Sequence, residues 1–183
     1  MINFASTTRL MAAAIAAAAL GGCAGDGDNE GTAAAGPALG PLTGEEICSR
    51  LTPGAVSGAI GHPVTNATAL RSGTPQCSYN YRVGSTTYNV TVAYQRPDGD
   101  LSGKQGAQGL EHVLEVNRRL AQGTAVQETP VQAGERAVRM TGTRLHLGVL
   151  LTANRVMTVT ATSSIPGEAV DRLMAEAGNV FGR

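Results

Sequence analysis

Apolar and polar residues alternate along two neighbouring stretches near the middle of the chain. From Cys77 to Val83 every second residue is apolar or aromatic, and the alternation resumes from Tyr88 to Tyr94 after a turn at Gly84-Ser85. A period of two residues places such side chains on one face of a strand. The pattern therefore predicts a β-hairpin with one buried face.

The second half of the chain follows the same order of elements. Alternation predicts strands at 136–140, 144–152 and 156–162, and apolar residues at helical spacing predict helices over 110–121 and 166–181. Strands followed by a helix, twice along the chain, indicate an α+β fold in which helices pack on an antiparallel β-sheet.

Capping residues predict two short helices before the hairpin. Thr43 and Glu46 have the spacing of a capping box, and Thr52-Pro53 is a favoured start for a second helix. Gly61 is expected to end that second helix. Residues 62–76 show no apolar period and are predicted to be a loop.

The first 22 residues have the three parts of a secretory signal peptide. A single positive charge at Arg9 precedes the apolar run 11–20, which is about half the length that a membrane-spanning helix needs. The run ends in Leu20-Gly21-Gly22-Cys23, which resembles a bacterial lipobox. Cleavage between Gly22 and Cys23 and lipidation of Cys23 are expected. The alternative is an ordinary secretory signal peptide that leaves Cys23 as a free thiol.

These features predict three parts for the chain: a lipoprotein signal peptide (1–22), a lipidated cysteine followed by a flexible tether (23–44), and one globular domain (45–183). Residues 24–44 are rich in Gly, Ala, Asp and Pro and cannot bury enough apolar surface to fold alone. The domain is therefore expected on the extracytoplasmic face of the cell membrane, held there by two or more acyl chains.

If Cys23 is acylated, two cysteines remain in an oxidising compartment, and we expect Cys48 to pair with Cys77. The bridge would join the N-terminal helix to the first predicted strand. A zinc site and a redox dithiol are the alternatives. The chain has no Cys-x-x-Cys, and its histidines are not at ligand spacing: His62, His112 and His146. No metal or cofactor is predicted.

The segment 47–61 and the sequence Gln76-Cys77-Ser78-Tyr79 resemble actinobacterial lipoproteins classified as domain of unknown function 3558. The resemblance covers residues 45–183 and is most specific between 47 and 79. It implies a location in the cell envelope and a Cys48–Cys77 bridge. It implies no known activity.

Four tyrosines of the predicted hairpin fall on one face: Tyr79, Tyr81, Tyr88 and Tyr94. They could form an aromatic platform for an apolar or glycan ligand. The other interpretation is core packing beneath the N-terminal helix, and it is favoured because Cys77 lies on the same face.

Two further surfaces are candidates for binding. The opposite sheet face could bind carbohydrate or simply be solvated; its polar residues are Thr87, Asn89, Thr91, Thr158, Thr160 and Thr162. A group of arginines with few acidic residues near them in sequence could bind anionic envelope polymers: Arg118, Arg119, Arg136, Arg139 and Arg144.

Composition and motifs reduce the number of functions that the chain could have. The formal net charge is zero, which argues against nucleic acid as a partner. No nucleophile elbow, Ser-x-x-Lys, His-Glu-x-x-His or phosphate loop is present. The sequence predicts a lipid-anchored, non-catalytic module that binds an envelope protein or an apolar ligand. The alternative is a carrier that holds a small apolar or lipid ligand between sheet and helix, and an envelope hydrolase is the third hypothesis.

Overall fold

The computed structural model describes residues 40–71, 73–121 and 124–183. The predicted signal peptide, Cys23 and most of the tether lie outside these residues. The helices of the described part are α1 (Gly44–Arg50), α2 (Pro53–Ile60), α3 (Gly106–Leu120) and α4 (Gly167–Phe181). Its strands are β1 (Val64–Leu70), β2 (Gln76–Val83), β3 (Thr86–Gln95), β4 (Gln127–Val131), β5 (Arg136–Thr141), β6 (Leu145–Thr152) and β7 (Arg155–Thr162).

The strands form one antiparallel sheet in the order β1-β2-β3-β7-β6-β5-β4. Each half of the chain is a meander of neighbouring strands, and pairing of β3 with β7 joins the two meanders. A helix follows each meander, as the sequence predicted. The α+β fold is thereby confirmed.

Helices cover the two faces of the sheet unequally. On one face, α1, α2 and α4 lie over a large core that includes Tyr79, Leu150 and Phe181. On the other face, α3 packs on β6 and β7 around a smaller core that includes Leu114 and Val149. We call the end of the sheet where β2 begins and β3 ends the tether end, and the opposite end, with the Gly84-Ser85 turn, the distal end.

The predicted caps of α1 and α2 are present. The Thr43 hydroxyl accepts a hydrogen bond from Glu46 N, and the Glu46 carboxylate accepts one from Thr43 N at 2.7 Å. Thr52 caps α2 with Pro53 at its first position. Gly61 ends α2 in the left-handed conformation with φ 75°, which favours glycine.

The disulfide Cys48–Cys77 joins α1 to the sheet, with 5.2 Å between the two Cα atoms. Its partner strand is β2, the second strand of the chain, because β1 precedes it. The bridge places α1 over the face of β2 that carries Tyr79, in agreement with the prediction from the position of Cys77.

The loop predicted for residues 62–76 is wrong in its central part, where β1 forms the edge of the sheet. All seven of its residues are exposed or half-buried, so no apolar period marks it. The strand β4 at the other edge was not predicted either, because Pro130 interrupts the strand pattern.

Candidate functional site

The tyrosine face does not form an open platform. Tyr79 and Tyr81 are fully buried, and Tyr94 is 6% exposed. The Tyr79 hydroxyl donates to Leu51 O at 2.7 Å and so ties the C-terminus of α1 to β2. Burial raises the pKa of Tyr79 well above its ordinary value, so this hydroxyl stays a donor. Core packing is the role of this residue.

Two of the four tyrosines meet at the distal end. Tyr81 stacks between His62 and Tyr88, with ring centroids 5.6 and 5.7 Å apart. Its hydroxyl lies 3.3 Å from Thr162 Oγ1 and 3.0 Å from Ser164 Oγ. His62 and Tyr88 are half-buried. This stack closes the end of the large core, and Tyr94 lies at the opposite end of the same strand as Tyr88.

The polar face of the sheet is only partly solvated. Thr158 is buried and accepts a hydrogen bond from Gln95 Nε2 at 3.0 Å. Thr91, Thr160 and Thr162 are half-buried, whereas Thr87 and Asn89 are exposed. The six residues therefore do not share one environment.

The hypothesis of a basic patch is wrong, because the fold brings acidic partners to four of the five arginines. Arg118 binds Glu128 through two hydrogen bonds of 2.6 and 2.8 Å, and Arg139 binds Asp171 at 2.8 Å. The remaining pairs are Arg119–Glu115 and Arg136–Glu111. Glu115 lies one helical turn before Arg119 on α3, whereas the fold brings Glu128, Glu111 and Asp171 to their arginines from more distant positions in the sequence.

The Arg118–Glu128 pair predicts a pH dependence of stability. The hydrogen bonds from Arg118 hold the pKa of Glu128 below its ordinary value. The stabilisation is thus present above the unfolded pKa, about 4.3, and is lost as the pH falls through the folded pKa. We expect Glu128→Gln to remove about 0.5 kcal/mol at neutral pH and little in strong acid. Urea denaturation of both chains at several pH values between strong acid and neutrality measures this difference in free energy of unfolding.

The exposed-carboxylate variant Glu45→Gln is the control for Glu128→Gln, since Glu45 forms a single contact of 3.2 Å with Arg71, whose side chain is mostly exposed. A destabilisation by Glu128→Gln that stays the same from neutral pH to strong acid would show that the stabilisation does not come from the charge of Glu128 beside Arg118.

The segment Gly40–Gly44, which the sequence assigned to the tether, packs on the domain. Leu42 is 4% exposed in the large core, and Gly40 O accepts a hydrogen bond from Arg155 Nη2 at 2.6 Å. The compact unit spans Leu39–Arg183. The last residues of the predicted tether therefore belong to the compact domain and lie at the tether end of the sheet.

Arg155 is the residue at this junction that sequence reasoning missed. It is 7% exposed, and within the described part of the chain its Nε and Nη1 have no hydrogen-bond partner. Burial lowers the pKa of its guanidinium from the ordinary value. Its inward position could have been found from the strand pattern, because Arg155 alternates in phase with the buried Met157 and Val159.

Two clefts open at the tether end on either side of Pro41 and Arg96, which line both. The larger has a volume of about 570 Å³ and the smaller about 270 Å³. The larger is otherwise lined by Leu42, Thr43, Gly44, Glu45, Leu70, Arg71, Gly73 and Pro75. The smaller is otherwise lined by Tyr94, Pro97, Asp98 and Gly99. We call these two spaces together the junction cleft.

The junction cleft combines apolar walls with charged groups on its rim. Arg96 lies 3.7 Å from Asp100, and that carboxylate also accepts hydrogen bonds from Arg96 N at 2.9 Å and from the Thr74 hydroxyl at 2.7 Å. These bonds fix the loop that follows β3. Prolines and Leu70 supply the apolar surface. Such a mixture suits a ligand with both an apolar part and polar groups.

The histidine contacts are structural in character. His146 is buried; its Nδ1 lies 3.2 Å from the Thr141 hydroxyl and its Nε2 lies 3.2 Å from Ile165 O. On α3, His112 Nδ1 lies 3.2 Å from Nζ of Lys104, which precedes the helix. Among the described residues no group of three or more His, Cys, Asp and Glu side chains could hold a metal ion. No helix in residues 40–71, 73–121 and 124–183 is long and apolar enough to cross a membrane.

Comparison of the chain with family models, with curated proteins and with solved structures found no match.

Proposed function

We propose that the chain is a lipid-anchored extracytoplasmic module that binds a ligand or partner without catalysing a reaction. Cys23 carries the lipid in this proposal, after cleavage at Gly22, and holds the domain on the outer face of the cell membrane. The motif Leu20-Gly21-Gly22-Cys23 supports the anchor. The observation that carries the binding role is the junction cleft, formed where the tether enters the domain.

The position of the junction cleft suits a membrane-anchored binder. The Gly-rich composition of residues 24–38 gives an expected reach of roughly 20 Å between the lipid and the folded unit. A ligand in the cleft would thus be held within a short distance of the membrane surface. We infer a lipid headgroup with part of its chains, or a comparable amphipathic molecule of the envelope, as the class of ligand.

The carrier alternative receives less support. A carrier needs a pocket between sheet and helix lined by Leu, Val and Tyr. The two parts of the junction cleft open at the surface, are lined mainly by loop residues and share Pro41 and Arg96, and a further surface cleft lies between Arg50 and the end of α4. The resemblance to domain of unknown function 3558 is consistent with an envelope location and adds no activity.

The anchor is tested by Cys23→Ala. We expect the variant to accumulate as the unprocessed precursor or to leave the membrane fraction, because the thiol that receives the lipid is missing. Globomycin, which inhibits lipoprotein signal peptidase, should also leave the precursor uncleaved in wild type. Unchanged processing and unchanged membrane association in both experiments would refute the anchor.

The cleft is tested by native mass spectrometry of the chain isolated from membranes. We expect wild type to retain a bound amphipathic molecule and Arg96→Glu to lose it, because the substitution reverses the charge of a side chain that lines both parts of the cleft. Arg82→Glu is the matched control, since Arg82 is exposed near the distal end of β2. Equal retention by both variants, or no bound molecule in wild type, would contradict the binding role of this cleft.

A further inference from the structure

The two outer strands of the sheet, β1 and β4, differ in how they present their free edges. At an edge strand, every second residue presents its backbone N–H and C=O away from the sheet, where another strand can pair with them. Natural proteins block such edges with proline, charge or a covering segment. The chemistry of β1 and β4 shows which of the two is blocked.

The β4 edge is blocked. Pro130 lies inside β4 and has no N–H to donate. Glu128 on the same strand carries a charge and is held by Arg118 of α3. A further strand added at β4 would lose one hydrogen bond and would meet this ion pair.

The β1 edge is open over most of its length. Its sequence, Val-Thr-Asn-Ala-Thr-Ala-Leu, contains no charge and no proline. Asn66–Leu70 pairs with β2 in unbroken register, and we call these five residues the edge segment. The side chains of Asn66, Thr68 and Leu70 are exposed. The helices engage β1 at its two ends: Ser57 Oγ of α2 accepts a hydrogen bond from Val64 N at 2.9 Å, and Gly44 of α1 lies against the backbone of Leu70.

We propose that the edge segment pairs with the edge segment of a second copy of this chain, in a two-fold dimer with one continuous antiparallel sheet. Because β4 is blocked, a second copy can extend the sheet only through its own β1. The contact is therefore isologous and closes at two copies rather than growing into a fibre. The edge segment itself carries no charge; of the two helices that contact β1, α2 has no charged residue and α1 carries Glu45, Glu46 and Arg50.

Membrane attachment is compatible with this arrangement and favours it. The two-fold axis of two paired edges is perpendicular to the sheet, so the tether ends of the two copies point in opposite directions. Residues 24–38 can span at most about 50 Å. Both tethers can therefore reach one membrane when the axis lies along the membrane normal. Confinement to one membrane raises the effective concentration of the copies, so that a short edge contact suffices to hold two copies together.

The dimer is tested in membranes with Thr68→Cys and a short bismaleimide crosslinker. The matched control is Gln127→Cys, which places a thiol on an exposed residue of β4. We expect a crosslinked dimer from Thr68→Cys and none from Gln127→Cys. Wild type carries no free thiol if Cys23 is acylated, so crosslinking of wild type would report failure of the anchor and not of the dimer.

A charge variant gives an independent test. Thr68→Glu puts a carboxylate on an exposed residue of each edge segment, so the two copies should repel each other. Single-molecule photobleaching of the labelled chain in lipid vesicles should show dimers for wild type and Gln127→Glu and monomers for Thr68→Glu. Monomers for all three, or crosslinks from Thr68→Cys only to other envelope proteins, would overturn the proposal.

Discussion

Replacing Cys48 and Cys77 together by alanine should lower the free energy of unfolding by about 3–4 kcal/mol. The bridge closes a loop with a sequence separation of 29 residues, and the chain-entropy model assigns a stabilisation of that size to such a loop. A folded domain commonly has only about 5–15 kcal/mol of stability, so the loss is a large fraction. The double variant is the right comparison because either single variant leaves a free thiol.

Urea denaturation of the double cysteine variant beside Cys23→Ala measures this effect. Cys23 precedes Leu39–Arg183, the compact unit that contains the bridge, so Cys23→Ala should keep the stability of wild type. A midpoint for the double variant within error of the wild-type value would show that the bridge does not constrain the unfolded chain. It would also remove the argument that α1 depends on the bridge for its position.

The second large effect is expected at Gly178 in α4, where alanine should cost about 1–3 kcal/mol. A Cβ added there would lie 2.7 Å from Gly134 N and 3.3 Å from Gly134 Cα. Both atoms belong to the backbone of the β4–β5 turn, so they cannot rotate away, and the helix must shift. Helix propensity alone predicts the opposite sign, since alanine is favoured over glycine inside a helix by about 1 kcal/mol.

Gly58 in α2 is the matched control for Gly178. A Cβ added at Gly58 meets no atom within 4 Å, and the residue is exposed. Gly58→Ala should therefore follow propensity and raise the free energy of unfolding by about 0.5–1 kcal/mol. Thermal or urea denaturation of the two variants gives the comparison. Stabilisation by both substitutions would mean that α4 does not approach the turn as closely as described.

Local chemistry made the helices and the central strands predictable. The capping pair Thr43 and Glu46 and the Thr52-Pro53 start act within one turn of chain, so the sequence alone carries the signal. The strand β2 alternates clearly because only one of its faces is deeply buried, whereas β6 and β7 are recognisable from their apolar residues and are buried on both faces. The same reasoning fails at the edges, where β1 buries little and β4 contains Pro130.

The sites were less predictable because they depend on segments distant in sequence. Counting cysteines identified the Cys48–Cys77 pair, since a disulfide needs only two partners and a suitable compartment. The junction cleft brings Pro41 next to Arg96, and no local pattern reports that contact. Arg118 was assigned to a free basic patch because its partner Glu128 lies on a strand that the sequence did not reveal.

The intact mass of the chain extracted from membranes tests the central claim most directly. The account predicts a polypeptide that begins at Cys23, carries a diacylglycerol on that residue, and has Cys48 and Cys77 joined. Reduction should then expose two thiols and leave the lipid in place. A mature chain that begins elsewhere, or one in which Cys23 is an unmodified thiol, would contradict the account of a lipid-anchored module.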